Sequence, residues 1–505
     1  MLPRLQVDDS EESPIYKQIG EKLRTAILNG TLEPGERLPA TRTLADQLGL
    51  NRQTISAAYD LLEQEGYLKG QVGRGSFVTV PETANSNGGA SYSLRGASVA
   101  PPNAIDWNAL FQNEPKLAAP PSAADSAISF TASRPSELLF PLDEFRATCQ
   151  EVINEPAASA ILQLGAPSGY RPLRTYLLAD APHKSDDIII TNGVQQALDL
   201  LQRVLCGGGA QGGPVVIEDP VYPGLKNIFS TAGTRVIGVP VGPDGIDLDI
   251  LGRVLLMDRP RLLVLTPNFQ NPTGTTMPLE ARRQVIKMAR EAHVVLVEND
   301  IYGALRYRGE ALPTLKELDE SGDVVLLRSF SKLAFPGLRV GWVIAPKPLT
   351  NKLAEAKQCC DLHTDQLSQA VLLRFAESGR LAEHRQHVVR TGLERLECAL
   401  ETCRRVMPEG TIYTKPEGGM NLWIRLPEQL DSGELLGGAQ REGVAYLPGK
   451  YFAVQGDQSS CLRISFAGLE PDKIRHGLEI LGRLWRQEVT RVRAARTYEP
   501  ATALV

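Results

Sequence analysis

The 505-residue sequence predicts an α/β protein in three parts: an N-terminal winged helix-turn-helix, a large α/β domain and a smaller α+β domain. Three observations carry that prediction. Residues 13–80 hold three helical patterns followed by a glycine-broken alternating stretch. Residues 127–346 alternate helical stretches with continuous apolar runs, and residues 347–485 hold long helical patterns followed by short strand runs. A chain of this length accommodates about three compact units.

In SPIYKQIGEKLRTAILNG, Ile15, Ile19, Leu23 and Ile27 recur four apart, a helical stripe opened by Ser-Pro and closed by Gly30. After the Pro/Gly turn LEPGERLP, TRTLADQLG reads as a short helix ended by Gly49, and NRQTISAAYDLLEQEG as a helix beginning at Asn51 or Arg52. Two helices joined by a tight glycine turn form a helix-turn-helix. YLKGQVGRGSFVTV then alternates and breaks at Gly73 and Gly75, a hairpin with Arg74 at its tip. Arg52, Gln53 and Thr54 fall at the start of the second helix of the pair, where side chains reach base edges in a major groove. Arg42 falls where the preceding helix meets the phosphate backbone, and Arg74 where a wing enters the minor groove.

Charge limits what such a module does. The chain carries a net charge of −5, and residues 13–80 hold eight Lys/Arg against seven Asp/Glu. Generalised attraction to nucleic acid or anionic membrane is excluded, so DNA contact has to come from a local face holding Arg42, Arg52, Lys69 and Arg74. The alternative is a winged helix that docks protein. These residues, through PIYKQIGEKLR, GERLPATRTLADQLG, NRQTISAAYDLLEQEGYL and GRGSFV, resemble the GntR family of winged-helix repressors. That resemblance implies specific, dimeric binding to a double-stranded DNA operator by Arg42, Arg52, Thr54 and Arg74.

Residues 81–126, rich in Pro, Ala, Ser and Asn, read as a tether with a root-mean-square span of roughly 35–40 Å. Beyond it come DIIIT, PVVIEDP, RVIGVPV, RLLVLTP, VVLVEND, DVVLLRSFSK and VGWVIAP. Continuous apolar runs separated by helices are the pattern of a mostly parallel sheet covered on both faces, and ligands gather at the carboxyl ends of its strands. The residues following each run form a coherent set. RSFSKLAFPGLRVGW places Lys332 between two strands with Arg339 seven residues on. A desolvated lysine amine condenses with an aldehyde, while an arginine and the hydroxyls of Ser329 and Ser331 suit a phosphate. Pyridoxal phosphate carries both groups.

The helix opening at Gly193 offers the amides of Val194 and Gln195 as an anion site. Tyr222 suits stacking on a flat heterocycle, Asn271 a hydrogen bond to a phenolate-like oxygen, and Asp300, followed by Tyr302, a charge pair with a pyridine nitrogen. CGGGAQGG at 206–213 lacks the Gly-Lys-Ser/Thr of a nucleotide cradle.

These residues, with the motifs NPTG, ENDIY and SFSKLAFPGLRVGW, resemble fold type I pyridoxal-phosphate enzymes, the aspartate aminotransferase superfamily, from about residue 127 to 485. The resemblance implies that Lys332 bonds the cofactor, Asp300 pairs with its ring nitrogen, Asn271 and Tyr302 hold its ring oxygen, and Tyr222 stacks. Ser329, Arg339 and the Val194 and Gln195 amides would hold its phosphate. Arg463, after a short strand run in CLRISFAG, stands where the superfamily binds a substrate carboxylate. The chain departs from the family at Val194, where a hydroxyl residue is frequent, and at Leu164, where a tyrosine often reaches the partner subunit's phosphate. Both departures imply weaker cofactor binding.

A GntR-like module tethered to an aminotransferase-like domain is the layout of the MocR/GabR group of bacterial regulators. The lack of an apolar signal core predicts a cytoplasmic protein, and the resemblance implies a head-to-tail homodimer that binds an operator and senses a small amine or amino acid effector, or the cofactor itself, through bound pyridoxal phosphate. A working aminotransferase with a DNA-binding appendage is the alternative, and a cofactor-free dimerisation unit a third reading. No apolar signal core opens MLPRLQVDDSEESP and no run is long enough to span a bilayer, so no membrane partner is expected. Seven cysteines without CxxC spacing predict reduced thiols and neither a metal nor a disulfide framework. His384 and His387 read as a solvated helix face, and the tail after Trp485 as frayed.

Overall fold

The computed structural model describes residues 14–28, 31–32, 35–36, 38–71, 75–79, 127–179, 181–207, 212–427 and 430–497. The tether at 81–126 and Arg74 lie outside the described residues. The chain divides into two compact units, Met1–Gln112 and Asn113–Val505.

In the first unit, α1 (Ile15–Leu28), α2 (Thr41–Leu48) and α3 (Arg52–Gln64) precede the hairpin β1 (Leu68–Gln71) and β2 (Gly75–Val78). The stripe on α1 buries Ile19, Leu23 and Ile27 against Leu44, Ile55, Tyr59 and Leu62, as its spacing predicts. Gly49 ends α2 in the left-handed conformation, which a glycine adopts without steric cost. Asn51 starts α3 by accepting a hydrogen bond from the Gln53 amide at 2.9 Å, satisfying one of the donors a helix start leaves free. Gly35, Glu36 and Leu38 lie beside β2, with the Gly35 amide donating to the Val78 carbonyl and the Leu38 amide to that of Ser76, so the hairpin is braced on its outer edge.

The second unit is built on an eight-stranded sheet of order β4-β11-β10-β9-β8-β5-β6-β7. These are β4 (Asp186–Asn192), β5 (Val215–Asp219), β6 (Val236–Gly242), β7 (Gly245–Ile246), β8 (Leu262–Leu265), β9 (Val295–Asn299), β10 (Val325–Ser329) and β11 (Val340–Pro346). Every apolar run named above forms a strand. Val215, Ile217, Val264 and Val297 enter one core and Val216, Leu263, Leu265 and Leu296 another, so the two faces of the sheet are both covered.

Strand β11 runs antiparallel to β10 and to β4, while β10, β9, β8, β5 and β6 are mutually parallel. The reversal has a simple cause: residues 330–339 connect β10 to β11, and a parallel crossover needs a dozen or more residues, usually a helix. That short turn carries Lys332 and Arg339, and it stays at the carboxyl end of β10.

The smaller sheet is antiparallel with order β12-β13-β16-β15, from β12 (Ile412–Tyr413), β13 (Asn421–Arg425), β15 (Leu447–Pro448) and β16 (Cys461–Ser465). A separate parallel pair joins β3 (Ile128–Ser129) to β14 (Val444–Ala445). Residues 128–130 therefore pack with the C-terminal segment, although the sequence placed them with the large domain. Phe130 sits in the same core as Leu422, Leu462, Leu478 and Trp485, and a Cβ at Gly477 would lie 2.7 Å from its ring.

Two expectations change. The chain after Trp485 is helical as far as Thr497, since Pro471–Thr497 is one helix anchored by buried Trp485 and Val489; residues 498–505 lie outside the described residues. His384 is buried, its Nε2 3.0 Å from the Leu333 carbonyl, while His387 is exposed. Burial lowers the His384 pKa from its ordinary value, so the ring is neutral near pH 7. No helix among the described residues is long and apolar enough to cross a membrane.

Candidate functional site

In the first unit Arg52 and Gln53 are exposed at the start of α3 and Thr54 is half-buried beside them, the placement a base-reading helix requires. Arg42 lies in the first turn of α2. Arg24 ties α1 to the end of α3 through Glu65, its Nε donating at 3.0 Å. This ion pair is part of the frame of the unit.

In the second unit the strand-end residues converge on one cavity of about 510 Å³, within the range of small-molecule sites. Val194, Gln195, Tyr222, Asn271, Tyr302, Ser329, Lys332, Arg339 and Arg463 all line it. Lys332 Nζ donates to the Ser133 carbonyl at 2.7 Å and stands 5.6 Å from the centroid of the Tyr302 ring. Tyr302 is buried, and Asn271 Nδ2 donates to its hydroxyl at 3.2 Å. Burial raises the Tyr302 pKa, but Lys332, a hydrogen bond with Ser133, the Arg463 charge and Asn271 together outweigh it, and the net displacement is downward. A phenol so placed donates its proton readily or accepts one.

At the other end, Gly193 opens α4 (Gly193–Leu201) at φ +73°, and a side chain there would run into the Arg339 guanidinium. Arg339, itself left-handed at φ 56°, turns out of the 330–339 connection toward that helix start, its Nη2 3.4 Å from the Asn192 carbonyl. A Cβ at Gly341 would lie 2.9 Å from the Gly193 carbonyl carbon, so strand β11 passes close under the same turn. Ser329 Oγ donates to the Val340 carbonyl at 3.0 Å and accepts from the Ser331 amide at 3.0 Å. The result is an anion cradle of helix amides, one guanidinium and two hydroxyls at one end of the cavity, with a lysine amine beyond it.

Arg463, in the middle of β16, is buried under the Phe452 ring at 5.0 Å. Its Nη1 donates to Asn271 Oδ1 at 3.0 Å and its Nη2 to the Thr131 carbonyl, while Nε has no protein partner. Burial pulls its pKa down to about 10, which leaves it charged at neutral pH. Leu164 is exposed on the surface of this chain.

Asp300 is corrected. It does not line the cavity. Its Oδ1 accepts from Asn268 Nδ2 at 2.8 Å and its Oδ2 from Arg328 Nε at 3.0 Å, behind the cavity wall. The preceding residue, Asn299, lines the cavity in its place, because successive side chains of a strand point to opposite faces and Asn299 ends β9 on the open side. Thr131, Ser133, Thr266, Tyr451 and Phe452 are further lining residues that the sequence reading did not name. Strand-end position alone was enough to find Thr266 and Asn299. Thr131 and Ser133 follow a strand that belongs to the smaller sheet system, and nothing local marks them.

A pyridoxal-phosphate-sized group fits this arrangement. Asn299 Oδ1 and Arg463 Nε are buried polar atoms without protein partners, and the missing side chain at Gly193 lets the Arg339 guanidinium lie against the helix start.

Comparison with known proteins bears on both units. Residues 15–78 match the bacterial regulatory proteins of the gntR family, and residues 143–481 match aminotransferase class I and II, a family that typically binds pyridoxal phosphate. The 2-aminoadipate transaminase of Thermus thermophilus is 39% identical over 360 residues, covering 70% of this chain and 89% of that protein. The probable rhizopine catabolism regulatory protein MocR of Rhizobium meliloti is 30% identical over 495 residues, covering 94% of this chain and 95% of the relative. The crystal structure of LysN, the α-aminoadipate aminotransferase of Thermus thermophilus complexed with N-(5'-phosphopyridoxyl)-L-leucine, superposes with a TM-score of 0.69 at 35% identity, covering 74% of this chain and 96% of that one. With a gntR-type module and a class I/II aminotransferase domain joined in one chain, and a MocR relative aligned along nearly all of it, this protein belongs to the MocR-type transcriptional regulators.

Proposed function

We propose that this regulator binds pyridoxal phosphate in the second unit and uses it to sense a small amine or amino acid that alters its grip on an operator. The observation that carries the reading is the convergence of Lys332, Asn271, Tyr302, Ser329 and Arg339 on one cavity, with Arg463 on its wall. When bound, the cofactor supplies an aldehyde carbon with which amines condense.

The chain's own residues divide the work. Lys332 presents its amine from the 330–339 turn, held by the Ser133 carbonyl and backed by Tyr302. Asn271 and Tyr302 supply donors for a ring oxygen, and the depressed Tyr302 pKa lets that hydroxyl hold or release a proton next to Lys332. Ser329, Arg339 and the first amides of α4 bind the phosphate, and half-exposed Tyr222 covers the ring. Arg463 selects ligands bearing a carboxylate, since a guanidinium offers two parallel donors to it. Arg42, Arg52, Gln53, Thr54 and Arg74 are the proposed DNA contacts. The proposed division is a DNA-binding domain at 13–80, a linker at 81–126, a large domain up to residue 346 and a small domain from 347 through the helix ending at Thr497, which also takes in residues 128–130, assembled as a head-to-tail dimer in the cytoplasm. An effector has to bind two conformations unequally to shift the DNA-bound population.

A turning-over aminotransferase is the second reading, favoured by the 39% identity to a transaminase and the retention of Lys332, Tyr302 and Arg463. The test uses purified full-length protein. A visible chromophore that borohydride reduces, and that Lys332→Ala abolishes, supports the cofactor site. Footprinting of genomic fragments that changes on adding amines, without steady production of keto acid, supports the sensor. Protein that stays colourless in excess cofactor overturns both readings.

A further inference from the structure

The cavity is lined by three cationic side chains, Lys332, Arg339 and Arg463, and among the described residues no carboxylate lines it. The polar groups on its sheet side are neutral. Asn299 is 8% exposed, with Nδ2 donating to Thr266 Oγ1 at 3.3 Å and Oδ1 unpartnered. Thr266 follows β8, the strand beside β9, so the two residues form one patch at the carboxyl ends of adjacent strands.

The nearest carboxylates are engaged elsewhere. Asp300 bonds Asn268 and Arg328, and the absence of a side chain at Gly303 leaves the room its carboxyl occupies. Glu298 is fully buried within β9; burial, then the Asp300 charge, push it up to about 8, so it is largely uncharged at neutral pH.

These features have a chemical consequence for the cofactor reading above, on which the inference rests. With Lys332 at the aldehyde, Asn271 and Tyr302 at the ring oxygen, and Arg339 with the start of α4 at the phosphate, the group left for the ring nitrogen is the Asn299 and Thr266 patch. We infer that Asn299 presents a neutral amide to the pyridine nitrogen of bound pyridoxal phosphate, leaving that nitrogen unprotonated and the site a receptor for amines with little capacity to turn them over. An anionic partner favours the protonated ring by direct charge attraction, and a neutral amide does not. Asn299 Nδ2 has a second N–H beyond the one given to Thr266, and an unprotonated ring nitrogen accepts it. An unprotonated ring withdraws electrons weakly, so the Cα–H bond of a bound amino acid is not labilised. Condensation with the amine asks nothing of the ring nitrogen and is unaffected. Asn299 thus separates binding from turnover.

The experiment loads the full chain with pyridoxal phosphate carrying ¹⁵N in its ring and follows the nitrogen resonance against pH. Wild type is expected to give the unprotonated resonance at pH 7, Asp300→Asn to match it, and Asn299→Asp to raise the ring pKa by about 1–3. The same Asn299→Asp variant is expected to exchange the α-deuteron of a bound amino acid at least ~10-fold faster, one pKa unit being tenfold in protonated fraction. A protonated ring in coloured wild type at pH 7 overturns this inference and leaves the cofactor reading standing. So does an Asp300→Asn protein whose ring state differs from wild type. A wild type without reducible colour overturns the cofactor reading and this inference with it. Because the wild-type resonance alone decides the main point, the test survives a variant that does not fold.

Discussion

Asp219 is the perturbation that most directly joins stability to the site. It ends β5, is buried, and accepts three backbone N–H bonds from the far part of the chain: Val454 at 3.0 Å, Gln455 at 2.9 Å and Gly456 at 2.8 Å. Lys226 Nζ adds a bond to the Ala453 carbonyl at 2.7 Å. The segment so held begins just after Tyr451 and Phe452, which line the cavity, and Phe452 covers Arg463. Hydrogen bonds to a charged group contribute about 1.5–3 kcal/mol each. Gln455 and Gly456 are exposed, so water replaces much of what Asp219→Ala removes, and the expected loss is about 2–3 kcal/mol in total. Asp219→Asn keeps a neutral acceptor and is expected to lose about half as much. Urea unfolding reads the stability, and titration with an amino acid ligand reads the wall. A loosened Phe452 is expected to weaken binding about tenfold, since 1.4 kcal/mol is a factor of ten. If both variants unfold at the wild-type urea midpoint and bind the ligand unchanged, the clamp is not holding that wall and the reasoning is wrong.

Other consequences are open to measurement. Burial pushes Glu218 up to about 8 from the ordinary 4.5, with bonds from Thr266 and Gln270 only partly opposing it. The folded state therefore holds a proton the unfolded state releases: the stabilisation is full below about 4.5 and lost as pH rises through about 8. Glu218→Gln is expected to flatten that dependence by on the order of 4 kcal/mol, read as the difference in urea stability between acidic and alkaline buffer; an unchanged slope refutes it. Arg52→Ala leaves the fold alone, since the side chain is exposed, and is expected to cost about 1–3 kcal/mol in operator affinity by fluorescence anisotropy with no change in melting temperature. Trp485→Ala empties a fully buried position in the small-domain core and is expected to destabilise by about 3–5 kcal/mol in urea unfolding; a loss under about 1 kcal/mol refutes it.

The periodic parts of this chain were open to reading. The α1 stripe and every apolar run of the large sheet follow from local spacing, because burial of one face or both imposes a repeat that needs no knowledge of the partner, and the Gly49 stop follows from the residue type. Strand-end position likewise placed Lys332, Asn271, Tyr302 and Arg339 at one rim. The helix after Trp485 escaped because its polar residues hide a stripe continued by Val489, and His384 because its burying partner, Leu333, lies 51 residues away in sequence.

What the sequence determined by itself is the order of elements, the two kinds of module and most of the groups gathered around a phosphate and an amine, since these depend on residues close along the chain. Tertiary structure alone decided that Ile128–Ser129 joins Val444–Ala445, that Arg463 reaches Asn271, and that Asn299 rather than Asp300 faces the cavity. Neighbouring side chains on a strand point opposite ways, and only the packing of Asn268, Gly303 and Arg328 behind the sheet fixes which of the two looks in.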